Sequence, residues 1–96
     1  MTILRIEHRV PSYDGWAKAF AADPLGRRQS GVESYRIYRP VNDPAFVIVD
    51  LLFRELPAAE EMLGRLEKLW GKVEGKVMMN ANTSILNLEE EKEYRE

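Results

Sequence analysis

The sequence contains no cysteine and a single histidine, His8. The first absence removes disulfides, thiolate nucleophiles, iron–sulfur clusters and thiolate-held zinc, and the second removes any site built from several imidazoles. Basic residues are not in excess either: 14 Lys and Arg stand against 16 Asp and Glu, a formal net charge of −2. A nucleic-acid binder draws much of its affinity from a basic surface, so that partner class is not expected. No apolar run approaches the roughly 20 residues that a membrane helix requires. The N-terminus shows no succession of charged, apolar and small-residue zones of the kind that marks a secretory signal. The expectation is a cytoplasmic protein with neither a membrane nor a nucleic-acid partner.

What is present is ordinary globular composition. Hydrophobic residues make up 45% of 96 positions, enough for one core in one domain without covalent staples. That domain is expected over residues 1–88. The final stretch, 89–96, carries Glu89, Glu90, Glu91, Glu93 and Glu96 against Lys92 and Arg95, too polar for a core and expected as an acidic tail.

Along the chain, residues 2–10 alternate, with Leu4, Ile6, His8 and Val10 in one phase and Ile3, Arg5, Glu7 and Arg9 in the other. Period two predicts a first strand. Pro11 ends it and Ser12 is placed to cap a helix in which Tyr13, Trp16, Ala17 and Phe20 share a face. That helix should end near Ala22, because Asp23 precedes Pro24 and is pushed out of the helical region. Leu25–Ser30 is expected as a short helical turn before Gly31.

Residues 32–39 and 45–54 are rich in β-branched and aromatic types, and the stretch between them, Pro40-Val41-Asn42-Asp43-Pro44, has turn composition, which predicts a hairpin. A second helix follows: Pro57 suits its first turn, Ala59, Met62, Leu63, Leu66, Leu69, Trp70 and Val73 form one apolar stripe, and Gly71 and Gly75 are expected to stop it. Residues 77–87 read as a last strand.

The order β-α-β-β-α-β defines an α+β domain of ferredoxin-like type, with a four-stranded antiparallel sheet and both helices on one face. The third strand carries a further message. Val47, Val49, Leu51 and Phe53 are apolar in one phase, and Phe46, Ile48 and Leu52 in the other. Apolar residues in both phases predict cover on both faces, and helices supply only one. A homodimer formed through the second sheet face is therefore expected. The RNA-binding variant of this fold needs an aromatic-rich strand motif that Tyr35-Arg36-Ile37-Tyr38-Arg39 does not match.

The run His8-Arg9-Val10-Pro11-Ser12-Tyr13-Asp14-Gly15-Trp16, with Phe20, Gly31, Tyr35-Arg36-Ile37-Tyr38-Arg39 and Asn42-Asp43-Pro44, resembles the dimeric α/β-barrel superfamily. Within it, the chain is similar to the small cyclase and antibiotic-biosynthesis-monooxygenase-like proteins. The resemblance implies two sheets packed face to face, and in each protomer a ligand cavity between sheet and helices. It also implies a cofactor-independent enzyme, a monooxygenase or cyclase acting on a small aromatic or polyketide-like compound. Haem-degrading members would supply a histidine from the second helix, and this chain has none there. No cofactor and no metal are expected. The alternative is a non-catalytic dimeric protein that binds a small ligand or serves as an accessory.

His8 is the first candidate for catalysis, since only imidazole titrates near neutrality and the polyketide cyclases of this fold are similar in placing a histidine on the first strand. Tyr13, Trp16, Phe20 and Trp70 are candidate walls for a flat aromatic ligand, against the plainer reading that they are core. Tyr35 and Tyr38 are separated by an odd number and must face opposite ways; an ordinary register favours Tyr38 as the one reaching the cavity. Asp50 interrupts an apolar strand, either as a base beside His8 or as the partner of an arginine such as Arg36. Asn80 is a candidate for orienting a ligand carbonyl, Asn82 sharing its face.

Overall fold

The computed structural model describes residues 1–73 and 79–95. Its elements are β1 (Thr2–Arg9), α1 (Tyr13–Ala22), β2 (Val32–Tyr38), β3 (Phe46–Phe53), α2 (Leu56–Val73) and β4 (Met79–Asn87). The strands form one sheet in the order β2-β3-β1-β4 with every neighbouring pair antiparallel. This is the ferredoxin-like arrangement that the element order predicts.

Local chemistry sets the boundaries. The Ser12 hydroxyl accepts the Gly15 N–H at 3.2 Å and caps α1. Asp23 closes the helix in the left-handed region, φ 51, donating its N–H to the Phe20 carbonyl at 3.1 Å. Its carboxylate accepts the Arg27 N–H at 2.8 Å, so the chain after Pro24 turns back over the end of α1. At the hairpin, the Asp43 N–H meets the Pro40 carbonyl at 3.1 Å. One boundary differs from expectation: α2 continues through Gly71 to Val73. A glycine inside a helix costs only about 1 kcal/mol relative to alanine, and Gly71 is exposed with open space around it, so nothing there forces a stop. Gly75 and residues 77–78, expected to end α2 and open β4, lie outside the described residues.

The two strand phases become two sheet faces. Leu4, Ile6, Val47, Val49, Leu51 and Phe53 lie beneath the helices and pack with Trp16, Ala59 and Met62 into the core. His8 shares that face, as its phase with Leu4 and Ile6 requires, and is buried. On the opposite face stand Arg5, Glu7, Arg36, Tyr38, Ile48, Asp50 and Leu52, paired across the strands in one consistent register.

Two irregularities interrupt the ladders. Between Val32 and Ser34 the β2–β3 register slips by one residue, so that Glu33 is extra. Between Glu7 and Arg9 the β1–β4 register slips as well, and Asn80 there adopts φ 52. Asparagine tolerates that conformation better than most residues, which fits it to a bulge. Residues 89–95 are exposed and form no helix or strand. No helix among the described residues is long and apolar enough to cross a membrane.

Candidate functional site

Between the helix-bearing face of the sheet and the two helices lies a cavity of about 180 Å³. Its floor is Ile6, His8, Val49 and Leu51, and α2 contributes Met62, Leu66, Leu69 and Trp70. Trp16, Ala19 and Phe20 come from α1, and the following turn adds Asp23, Pro24, Leu25 and Arg27. The volume slightly exceeds that of an apolar cavity known to hold benzene, about 150 Å³, so one six-membered ring fits inside.

The aromatic walls are ordered against one another. Trp16 stacks on Phe20 with ring centroids 5.1 Å apart, and Phe20 meets Tyr35 edge-on at 5.0 Å. The His8 ring leans on Trp16 at 5.6 Å. Burial holds the His8 imidazole below its ordinary pKa, so near neutrality the ring is uncharged. Its Nδ1 lies 3.4 Å from the Arg9 carbonyl, which can only accept; a proton on Nδ1 leaves Nε2 as the nitrogen with a free lone pair. A neutral imidazole in an apolar, ring-walled space can take a proton from a weak oxygen or carbon acid.

The expected site residues therefore divide. His8, Trp16, Phe20 and Trp70 come together around the cavity. Tyr13 stands behind Trp16 at 5.8 Å, with the Arg39 guanidinium 3.8 Å over its ring, and does not line the space. Asn80 sits exposed at the β4 bulge and is not part of the lining.

Tyr38 and Asp50 are corrected to the other face of the sheet. The extra residue at Glu33 reverses the phase of β2 beyond Val32, so Tyr35 turns toward Phe20, and Tyr38 turns away. There the Tyr38 hydroxyl donates to Asp50 at 2.9 Å, and the Arg5 guanidinium forks onto the same carboxylate at 2.8 and 2.9 Å. The arginine that bonds Asp50 is thus Arg5 rather than Arg36, which contributes only its charge. Hydrogen bonds from Arg5, and then from Tyr38, hold Asp50 below the usual carboxylate range against the opposing effect of burial. The carboxylate is occupied and does not meet His8.

Among the residues that sequence reasoning missed, Arg27 matters most. It lies in the turn after α1, where no periodicity signals a facing direction. The one available signal was Asp23-Pro24, which ends the helix and folds the following residues back over it.

No family model matches the chain, and no curated protein matches it in sequence. Solved structures match in fold. SnoaB, a cofactor-independent oxygenase from Streptomyces nogalater, superposes in a mutant form with a TM-score of 0.74 at 9% identity over 94% of each chain. A variant of MhuD with two manganese protoporphyrin IX molecules bound per active site gives 0.68 at 15% identity over 98% of this chain and 100% of that one. A dimeric ferredoxin-like protein from an uncultured marine organism gives 0.65 at 12% identity over 94% and 96%. The chain shares the fold of these solved structures.

Among the cavity-lining residues His8 is the only imidazole, α2 carries no histidine, and the volume suits one ring rather than a macrocycle of four pyrroles. These residues do not fit a porphyrin. Among the described residues, no three of the His, Asp and Glu side chains converge where a metal ion could be held.

Proposed function

We propose that the chain is the protomer of a homodimeric, cofactor-independent enzyme acting on a small aromatic or polyketide-like compound, of monooxygenase or cyclase type. The carrying observation is the cavity in which a buried, uncharged His8 meets Trp16, Phe20 and Trp70. In the oxygenase form of the reading, the rings hold an electron-rich substrate flat, and His8 removes a proton from a carbon attached to the substrate's ring. The resulting carbanion is oxidised by dioxygen to a hydroperoxide. Loss of water then leaves a carbonyl, one oxygen atom ending in the product and the other in water. In the cyclase form, the same proton transfer generates the nucleophilic carbon that closes a ring.

The second sheet face supports the dimer in this reading: Phe46, Ile48 and Leu52 are half-buried and Leu86 is exposed in the single chain. Sedimentation at micromolar concentration should give twice the chain mass of 11.1 kDa; a clean monomer contradicts the barrel.

The catalytic reading is tested by screening quinols, aromatic acids and polyketide mimics for thermal stabilisation and then measuring oxygen uptake or ring closure with those that bind. His8→Ala should bind the same compounds and lose about 10²-fold or more in turnover. Unchanged turnover removes His8 as the base. The competing reading, a non-catalytic binding protein, is favoured by how few polar groups line the cavity; binding with no turnover in any of these assays would select it.

A further inference from the structure

The cavity is apolar except for three titratable residues, His8, Asp23 and Arg27. His8 is uncharged near neutrality, and the Asp23 carboxylate already accepts the Arg27 backbone N–H and pairs with its guanidinium at 3.4 Å. Arg27 is a different case. Its guanidinium lies over Phe20, 3.8 Å from the ring centroid and 5.1 Å from that of Tyr35, and Nη1 donates to the Phe20 carbonyl at 2.7 Å. These contacts hold the group in place and engage Nη1. Nε and Nη2 have no protein acceptor among the described residues, and the side chain is only 19% exposed. A guanidinium presents its donors as a planar fork, and a free edge matches an anionic oxygen or a carboxylate pair.

Phe20 joins the two halves of this arrangement. It is stacked on Trp16 inside the cavity and carries the Arg27 guanidinium on its ring. A flat ligand placed against Trp16 and Phe20 would therefore have its substituent beside a cation whose position is already set. Little ordering would remain to be done on binding, which is where a pre-placed group gains affinity. The volume limits what lies inside to about one ring.

Resting on the reading of this cavity as a ring-binding site, we infer that Arg27 is its specificity-determining residue, selecting single-ring aromatic compounds that carry an anionic oxygen, a carboxylate or phenolate, over their neutral isosteres. The ring enters the space between Trp16 and Trp70, and the anion takes the free edge of the guanidinium.

The test is calorimetric titration of the protein with benzoate, benzamide and toluene, repeated with Arg27→Gln and Arg27→Lys. Benzoate should bind the parent at least about tenfold more tightly than benzamide, the gain expected of one charge-assisted hydrogen bond. Arg27→Gln should abolish that preference and leave toluene binding in place, and toluene binding also certifies that the variant is folded. Arg27→Lys should retain part of the preference, because it keeps the charge and loses the fork. Equal binding of benzoate and benzamide by the parent, or an undiminished preference in Arg27→Gln, overturns the assignment while toluene binding leaves the cavity reading standing. If Arg27→Gln does not fold, an undiminished preference in Arg27→Lys overturns it instead. Failure of all three compounds to bind the parent overturns the assignment together with the reading on which it rests.

Discussion

Replacing Asp50 by asparagine separates the two roles that a carboxylate in an apolar strand can have. The side chain is 5% exposed and accepts three hydrogen bonds, two from Arg5 and one from Tyr38. Asparagine keeps one carbonyl oxygen, loses the second acceptor and removes the charge. Breaking a fully buried pair costs about 3–5 kcal/mol. Arg5 is 39% exposed and can turn to water, so the loss here should be smaller, about 2 kcal/mol. For a chain of this length that is a fall of roughly 8–16 °C in Tm.

The pH dependence has a definite sign. Asp50 is held below 3.8 in the folded state by Arg5 and Tyr38, so its contribution is fully present above the unfolded value and disappears as pH falls through the lower folded one. Urea unfolding followed by circular dichroism at pH 7 should show Asp50→Asn less stable than the parent, and the gap should narrow in acid below about pH 4. Equal midpoints at pH 7, or a gap that does not change with acid, would refute the reasoning. Binding of small rings should be the same in parent and variant, because Asp50 faces away from the cavity. Lost ring binding with the fold intact would show that the two faces have been misassigned.

Further outcomes follow from the same geometry. His8 is depressed by burial, so the unfolded chain takes up a proton first: its contribution is intact above about pH 6.5 and lost as pH falls below that value. The Tm of the parent relative to His8→Gln should therefore decline between about pH 7.5 and 5.5, and a constant difference would contradict a buried neutral imidazole. Ser12→Ala removes the cap of α1 and should cost about 1 kcal/mol in chemical denaturation. No loss would mean that the Gly15 N–H is equally well served by water.

Much of the fold was legible because each signal was local. Alternation over residues 2–10 placed His8 with Leu4 and Ile6, and the structure buries all three on one face. The helix stops and starts at Ser12, Asp23 and Pro24 were carried by side chains whose backbone preferences are strong. Parity along β2 correctly separated Tyr35 from Tyr38, but the ordinary register turned the wrong one, Tyr38, toward the cavity. The extra residue at Glu33 decides it, and a bulge leaves no mark in hydrophobic periodicity. The same limit applies to Asn80, where a residue suited to a left-handed bulge reads on paper as one more strand position. Asp50 was recognised as needing a partner, but choosing among arginines required the register that aligns Arg5 on one side and Arg36 on the other. Arg27 was illegible for another reason: a turn residue acquires its direction from hydrogen bonds to Phe20 and Asp23, and only the folded chain contains them.

The sequence contains two tryptophans, Trp16 and Trp70, and both line the cavity. Intrinsic tryptophan fluorescence is therefore a direct reporter of the space on which the functional account depends. Titration with toluene, a neutral single ring that makes no demand on Arg27, should give a saturable change in emission from the native protein that disappears on unfolding. Emission that stays constant, or drifts linearly without saturation up to the solubility limit, would contradict the claim that this cavity receives an aromatic ring.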